Sequence, residues 1–344
     1  MIRAALRDLQ WRRRRFVIAM AGVALVFAMG LVMTGLTASF SAEVDRTLDA
    51  AGAEAWAVSD QATGPFTSFT PVPISDVTPA GGDAKPAMVL RQTITSDDQV
   101  TDIVVLGVMP HELGSPATRR GRSLAAQGEV VVDDSLSGTE IGDALMIGGR
   151  SLTVVGTTNG QRLFAGLPMA YIALADAQAI TVRGEPLATA FLYADRPSQA
   201  PPGLRLMSNA DVSDDVLRPL DDAMSSIAFV RLLLWIVAAT IIGSVLYLQA
   251  LERTRDFAVF KATGTSTAAI GVGLALQAVV LSLAAAVVAA IIAASIAPLF
   301  PMNVEIPTSG YLMLPVVTTV VGLLASVIAL HRTASIEPAL AFGG

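Results

Sequence analysis

Phe16 to Ala38 is a run of 23 residues without an Asp, Glu, Lys or Arg, and no other feature constrains the chain as much. At about 1.5 Å per residue a helix of that length crosses the roughly 30 Å hydrocarbon layer of a bilayer with some tilt. A secretory leader is the competing reading, because Arg12 to Arg15 precede the run and Ala38-Ser39-Phe40-Ser41 offers small residues for cleavage. The apolar core of a leader is only about 7–15 residues, so the run is expected to be a first transmembrane helix, 16–38. Three further apolar stretches gather near the other end. Ile227 to Ala250 (227–250) carries one charge, Arg231, placed where a long stem snorkels to the interface. Gly271 to Pro298 (271–298) has one mid-span amide, Gln277, and Tyr311 to Leu330 (311–330) is again uncharged.

Composition agrees with that division. The 344 residues are 53% hydrophobic and only 15% charged, with a mean hydropathy of +0.60, which two soluble domains would not show. Orientation follows from the lysines and arginines beside the spans. Arg3, Arg7 and Arg12 to Arg15 precede the first span, Arg253, Arg255 and Lys261 lie in 251–270, and Arg332 lies in the tail 331–344, whereas the loop 299–310 has neither Lys nor Arg. Both termini and 251–270 are therefore expected in the cytoplasm, with 39–226 outside. Between Ser39 and Ser226 there are 24 acidic and 12 basic residues, so the net charge of −6 is an acidic exterior partly offset by a basic inner face. Within 1–15, Ile2, Leu6 and Leu9 share a helical face beside Arg3, Arg7 and Trp11, the pattern of a short interfacial helix.

The segment 39–226 is expected to be an α+β domain on helical stalks. Phe40, Val44 and Leu48 recur every fourth residue and extend the first helix, while Leu217, Leu220, Met224 and Ile227 descend toward the second, with Pro219 as a kink. Between them short apolar runs read as strands: 54–59, 88–95, 102–108, 129–133, 144–147 with 151–155 across Gly148-Gly149-Arg150, 169–174 and 189–193. A short helix is expected at 175–181, an irregular loop at 64–86 and a linker at 198–203.

Several chemistries lack their residues. With no cysteine there is no disulfide, thiolate metal site or thiol nucleophile. No G-x-x-x-x-G-K-[ST] loop occurs, so any ATP and its Mg are expected on another chain, with no cofactor in this one. His111 and His331 have no ligands at metal spacing, no G-x-S-x-G is present, and no metal site, catalytic residue or nucleic-acid partner is expected. The acidic group Asp133, Asp134, Glu140 and Asp143 invites a cation reading, but charges that keep an external domain soluble are the simpler account. Met20, Met29 and Met33 lie in the first span, with Met29 and Met33 one turn apart, which makes them candidates for facing a haem-like substrate; plain packing is the alternative. Gln277 either faces a substrate or joins two helices by an amide hydrogen bond.

The most specific signal follows the second span: Glu252-Arg253-Thr254-Arg255-Asp256-Phe257-Ala258-Val259-Phe260-Lys261-Ala262-Thr263-Gly264. Two phenylalanines in a short charged loop are contact residues rather than solvating ones. This run resembles the E-R-x-x-E-[IL]-A-[VI]-L-[KR]-A-x-G signature of the FtsX/MacB-type (type VII) ABC transporter permeases, with Asp256, Phe257, Phe260 and Thr263 as departures. The tail Ile336-Glu337-Pro338-Ala339-Leu340-Ala341 is similar to the terminal pattern of that family. So is Glu129 to Asp133 followed by Ile141-Gly142-Asp143 and Thr153 to Gly156, and the compact external domain looks closest to the DevC/HrtB-like subgroup.

The resemblance implies a non-enzymatic membrane subunit that dimerises with a second copy and binds two ABC ATPase subunits. Glu252, Arg253, Asp256, Phe257, Val259, Phe260, Lys261 and Gly264 would form the ATPase-coupling element. It further implies a multi-pass protein of the bacterial inner or plasma membrane that exports or extracts an amphipathic substrate by mechanotransmission, haem being one option. An FtsX-like regulator of an external cell-wall hydrolase, docking an extracytoplasmic protein, is the alternative.

Overall fold

The computed structural model describes residues 13–77, 83–96, 99–252, 259, 263–264, 266–300 and 304–334. The chain forms two compact units, Met1–Ser39 with Ala223–Gly344, and Phe40–Asp222. Four helices are long and apolar enough to cross a membrane. In chain order the helices used below are α1 (Arg13–Ala51), α2 (Leu174–Thr181), α3 (Asn209–Leu217), α4 (Asp221–Glu252), α5 (Thr267–Ile296) and α6 (Thr308–Ala334).

The helical unit buries Val23, Phe27 and Leu31 of α1 with Ile242 and Leu246 of α4, Leu274 and Leu281 of α5, and Val321 and Ala325 of α6. Lipid tails are as apolar as these side chains, so close backbone approach rather than hydrophobic burial drives such packing. Gly322 shows it: a Cβ there would lie 2.5 Å from Ser282 Oγ and 3.1 Å from the carbonyl oxygen of Ala278. At Gly35 of α1 a Cβ would meet Ile306 Cγ1 at 2.7 Å and Val304 Cγ1 at 2.9 Å, and the Glu305 amide donates to Ser39 Oγ at 2.9 Å. The segment before α6 is thereby laid against α1.

The second unit is built on β1 (Ala55–Ser59), β2 (Val72–Pro73), β3 (Lys85–Ser96), β4 (Gln99–Val108), β5 (Arg120–Gly121), β6 (Glu129–Asp133), β7 (Ala144–Ile147), β8 (Arg150–Thr158), β9 (Arg162–Leu163), β10 (Leu167–Ala173), β11 (Leu187–Ala188), β12 (Ala190–Tyr193) and β13 (Leu204–Ser208). Among the described residues eleven strands share one sheet of order β13-β1-β12-β3-β4-β10-β6-β8-β5, with β7 beside β8 and β9 beside β10. The pairs β10/β4 and β6/β8 are parallel and the other pairs antiparallel. Strand β3 belongs to two halves, since Lys85 to Ala87 pair with β12 and Met88 to Ser96 with β4. The β7/β8 turn uses Gly148 (φ 55°) and Gly149 (φ 81°), the left-handed pair that a tight hairpin requires.

The α+β domain joined to four apolar helices matches the expected fold class. Val44 and Leu48 are each 1% exposed in the core of this unit, as the four-residue period requires. Trp56 is fully buried and donates from Nε1 to Asn209 Oδ1 at 3.0 Å, while Asn209 donates to the carbonyl of Ala53, so α3 is tied to β1. Ser208 caps α3 reciprocally with Asp211. Pro219 sits in a 3-10 turn, Arg218–Leu220, where α3 gives way to α4, with helical backbone at Leu217 and Asp221 on either side. Strand β13 was not expected from the sequence, and the 64–86 loop contains β2, a 3-10 turn (Ile74–Asp76) and the start of β3.

Candidate functional site

The helical unit holds a cavity of about 300 Å³ lined by Phe27, Gly30, Leu31 and Thr34 of α1, Arg231 and Trp235 of α4, and Ser309, Gly310, Met313, Leu314 and Val317 of α6. Each helix contributes for a local reason. Gly30 leaves the indole of Trp235 in contact range, 3.5 Å from where a Cβ would stand. Thr34 bonds back to the Gly30 carbonyl at 3.0 Å, a local bond that lets a hydroxyl sit in an apolar helix. Arg231 donates from Nη1 to Thr34 Oγ1 at 3.2 Å, and its guanidinium carbon lies 5.6 Å from the Trp235 ring centroid. The half-buried Arg231 thus faces the cavity through Thr34 and Trp235, whereas its position alone suggested a side chain extended toward the interface. The first turn of α6 supplies Ser309 and Gly310 to the same wall.

The candidate substrate-facing residues are placed elsewhere. Met29 is 42% exposed on α1, Met33 is half-buried one turn on, and neither lines the cavity. Gln277 is buried on α5, also outside the lining. The residues that do meet at the cavity, Thr34, Arg231 and Trp235, went unread as a site. Thr34 and Arg231 are 197 positions apart, and only the charge at Arg231 was a signal.

Of the expected coupling element, Arg253, Asp256, Phe257, Phe260 and Lys261 lie outside the described residues, as do the 1–12 part of the interfacial helix and the 336–341 tail motif. Glu252 ends α4 and is exposed, and Val259 is 50% exposed. Gly264 adopts φ 91°, the left-handed conformation that terminates helices, and Ser266 then caps α5 by accepting from the Ala269 amide at 3.2 Å.

In the sheet unit three carboxylates of the acidic group, those of Asp133, Asp134 and Asp143, are committed to protein donors. Asp133, fully buried, accepts from the Ser135 amide (3.1 Å) and hydroxyl (2.6 Å), the Gln161 amide (2.8 Å) and Arg162 Nε (3.4 Å). Asp134 pairs with Arg119, and Asp143 accepts from the Glu140 amide. Arg162 also faces Glu43 of α1 at 3.8 Å, and Thr47 donates to the Arg162 carbonyl at 3.1 Å. Burial, with the Asp133 charge adding to it, pushes the Tyr171 phenol far up. At the start of β6 Glu129 accepts from both Nη atoms of Arg122 and from the amides of Ala125 and Ala126, and the Arg122 bonds above all hold its carboxyl down at about 2.

Four helices long and apolar enough to cross a membrane, with a sheet domain between the first and the second in chain order and a cavity among the helices, define a membrane protein with an inserted α+β domain. The MacB-like periplasmic core domain family matches residues 16–200, and the FtsX-like permease C-terminal family matches residues 228–338. An ABC transporter permease of Mycobacterium bovis and one of Mycobacterium tuberculosis are each 44% identical over the full length of both chains, and a second from Mycobacterium tuberculosis is 40% identical over the same span. The extracellular domain of the noncanonic ABC-type transporter YknZ from Gram-positive bacteria aligns at 13% identity with a TM-score of 0.30, covering 50% of this chain and 94% of that one. The chain belongs to the ABC transporter permeases of FtsX/MacB type.

Proposed function

We propose that the protein is the membrane subunit of an ABC transporter that couples ATP hydrolysis by a separate ATPase to export or extraction of an amphipathic substrate. One observation carries the reading. Helix α1 contributes Val23, Phe27 and Leu31 to the bundle core and Val44, Leu48 and Ala51 to the sheet core, so a single element serves both. A subunit that passes work across a membrane without binding ATP needs such an element. In this reading two copies pair and carry two ATPases on the 251–270 segment, with ATP and Mg on the ATPases, the termini in the cytoplasm and the sheet domain outside a bacterial plasma membrane. The exposed apolar face of α4, with Phe229 at 61% and Ile236 at 53%, supplies surface for a second copy or for lipid. The test is ATP hydrolysis in lipid by this chain co-expressed with an ABC ATPase subunit of the same organism, titrated with amphiphiles, haem and peptides. Stimulation by an amphiphile is expected, and hydrolysis indifferent to all of them rejects transport.

A second reading, regulation of an external protein, has its own support. A cleft of about 560 Å³ in the sheet unit is lined by Phe66, Phe69, Arg91 and Pro219 among others, and Phe69 is 49% exposed. Capture of one stable external partner by the full chain, with no small molecule stimulating ATP hydrolysis, selects it.

A further inference from the structure

We propose that the cavity among α1, α4 and α6 binds the phosphate headgroup of an anionic, lipid-like amphiphile, held by Arg231 and Thr34, with its chain along Phe27, Leu31 and Val317. The first argument is charge. Among the described residues no carboxylate lies within ion-pair distance of Arg231, whose contacts are Thr34 Oγ1 at 3.2 Å and the Trp235 ring. A guanidinium held in an apolar helical unit with only a neutral hydroxyl for company retains donors and an uncompensated charge. Intramembrane cations of this kind are found paired or on a ligand path. A phosphate accepts from a guanidinium in a two-pronged geometry that a point charge does not match.

The second argument is the cavity wall. Ser309 and Gly310 belong to the first turn of α6, a 27-residue helix whose N-terminal end adds partial positive charge on the same side as Arg231. The remaining lining is apolar, and Met313 at its edge is 61% exposed, which opens the cavity sideways along the bundle surface where lipid lies. A volume of about 300 Å³ is at the lower end of small-molecule sites, roughly 300–1,000 Å³, and suits a headgroup with the first part of one chain. Polar groups at one end and a lateral apolar opening fit an amphiphile entering from the bilayer and not a free ion entering from water. The binding claim stands on the cavity; that the occupant is also the transported substrate rests on the function proposed above.

The experiment titrates the full chain in a neutral maltoside detergent, without ATPase, with dodecyl phosphate, dodecyltrimethylammonium and inorganic phosphate. Dodecyl phosphate is expected to bind at least ten-fold more tightly than either control. Arg231→Gln is expected to lose ten-fold or more and Arg231→Lys to recover part of that. Val317→Phe, which fills the apolar part and leaves the charge in place, is expected to weaken dodecyl phosphate while leaving inorganic phosphate unchanged. Equal binding of dodecyltrimethylammonium, unchanged affinity in a folded Arg231→Gln, or full competition by inorganic phosphate overturns the proposal. Because no ATPase is present, failure here removes the site and leaves the coupling reading to its own test.

Discussion

Arg162 lies between two buried carboxylates, 3.4 Å from Asp133 of β6 and 3.8 Å from Glu43 of α1. With Arg162 only 15% exposed, its guanidinium is the shared partner of both carboxyl groups inside the sheet unit. Arg162→Met is expected to destabilise by on the order of 3 kcal/mol, because it removes one partner of a buried polar cluster and leaves the other two facing an apolar side chain. Thermal unfolding of the full chain in detergent checks this. Adding Glu43→Gln to the Met variant is expected to recover part of the loss, and strict additivity of the two changes would contradict the ion-pair account.

Acid should weaken the same unit through Glu129. Its carboxyl is held at about 2 when folded, against an ordinary value of 4.5, so its contribution is complete above pH 4.5 and fades as the pH falls toward 2. The unfolding temperature of the native chain is expected to drop more between pH 6 and pH 3 than that of Glu129→Gln. Parallel curves for the two proteins would place the acid sensitivity elsewhere.

Helix spacing in the bundle rests on Gly322. Gly322→Val is expected to force α5 and α6 apart, because its Cβ would press on Ser282 Oγ and on the Ala278 backbone. A loss of thermal stability in detergent is the readout. Ser282→Gly is expected to relieve Gly322→Ala only in part, since the carbonyl at 3.1 Å remains.

Phe257→Asp or Phe260→Asp is expected to abolish co-purification with the ATPase while leaving the chain in the membrane fraction. A pull-down from membranes reads this directly, and retained binding would place the coupling surface outside 251–270.

The sequence exposed whatever depended on local period. The four spans follow from long apolar runs with at most one charge each, the continuation of α1 from Phe40, Val44 and Leu48, and the β7/β8 hairpin from two adjacent glycines. Non-local partners were hidden. Strand β13 follows Pro201-Pro202-Gly203, which reads as a linker, and it finds its register only against β1, where Ala55 pairs with Ser208. Asp133 and Asp134 look alike as neighbours, yet Asp133 is the last residue of β6 and is buried, while Asp134 lies in the turn that follows and meets Arg119. The bundle cavity needed three helices at once, and its polar pair joins residues 197 positions apart.

Strand β3 makes the sheet domain indivisible. Because one twelve-residue strand closes both halves of the sheet, severing it would strip each half of a neighbour and bare a long apolar edge, a template for aggregation. Neither half is therefore expected to survive as an excised fragment.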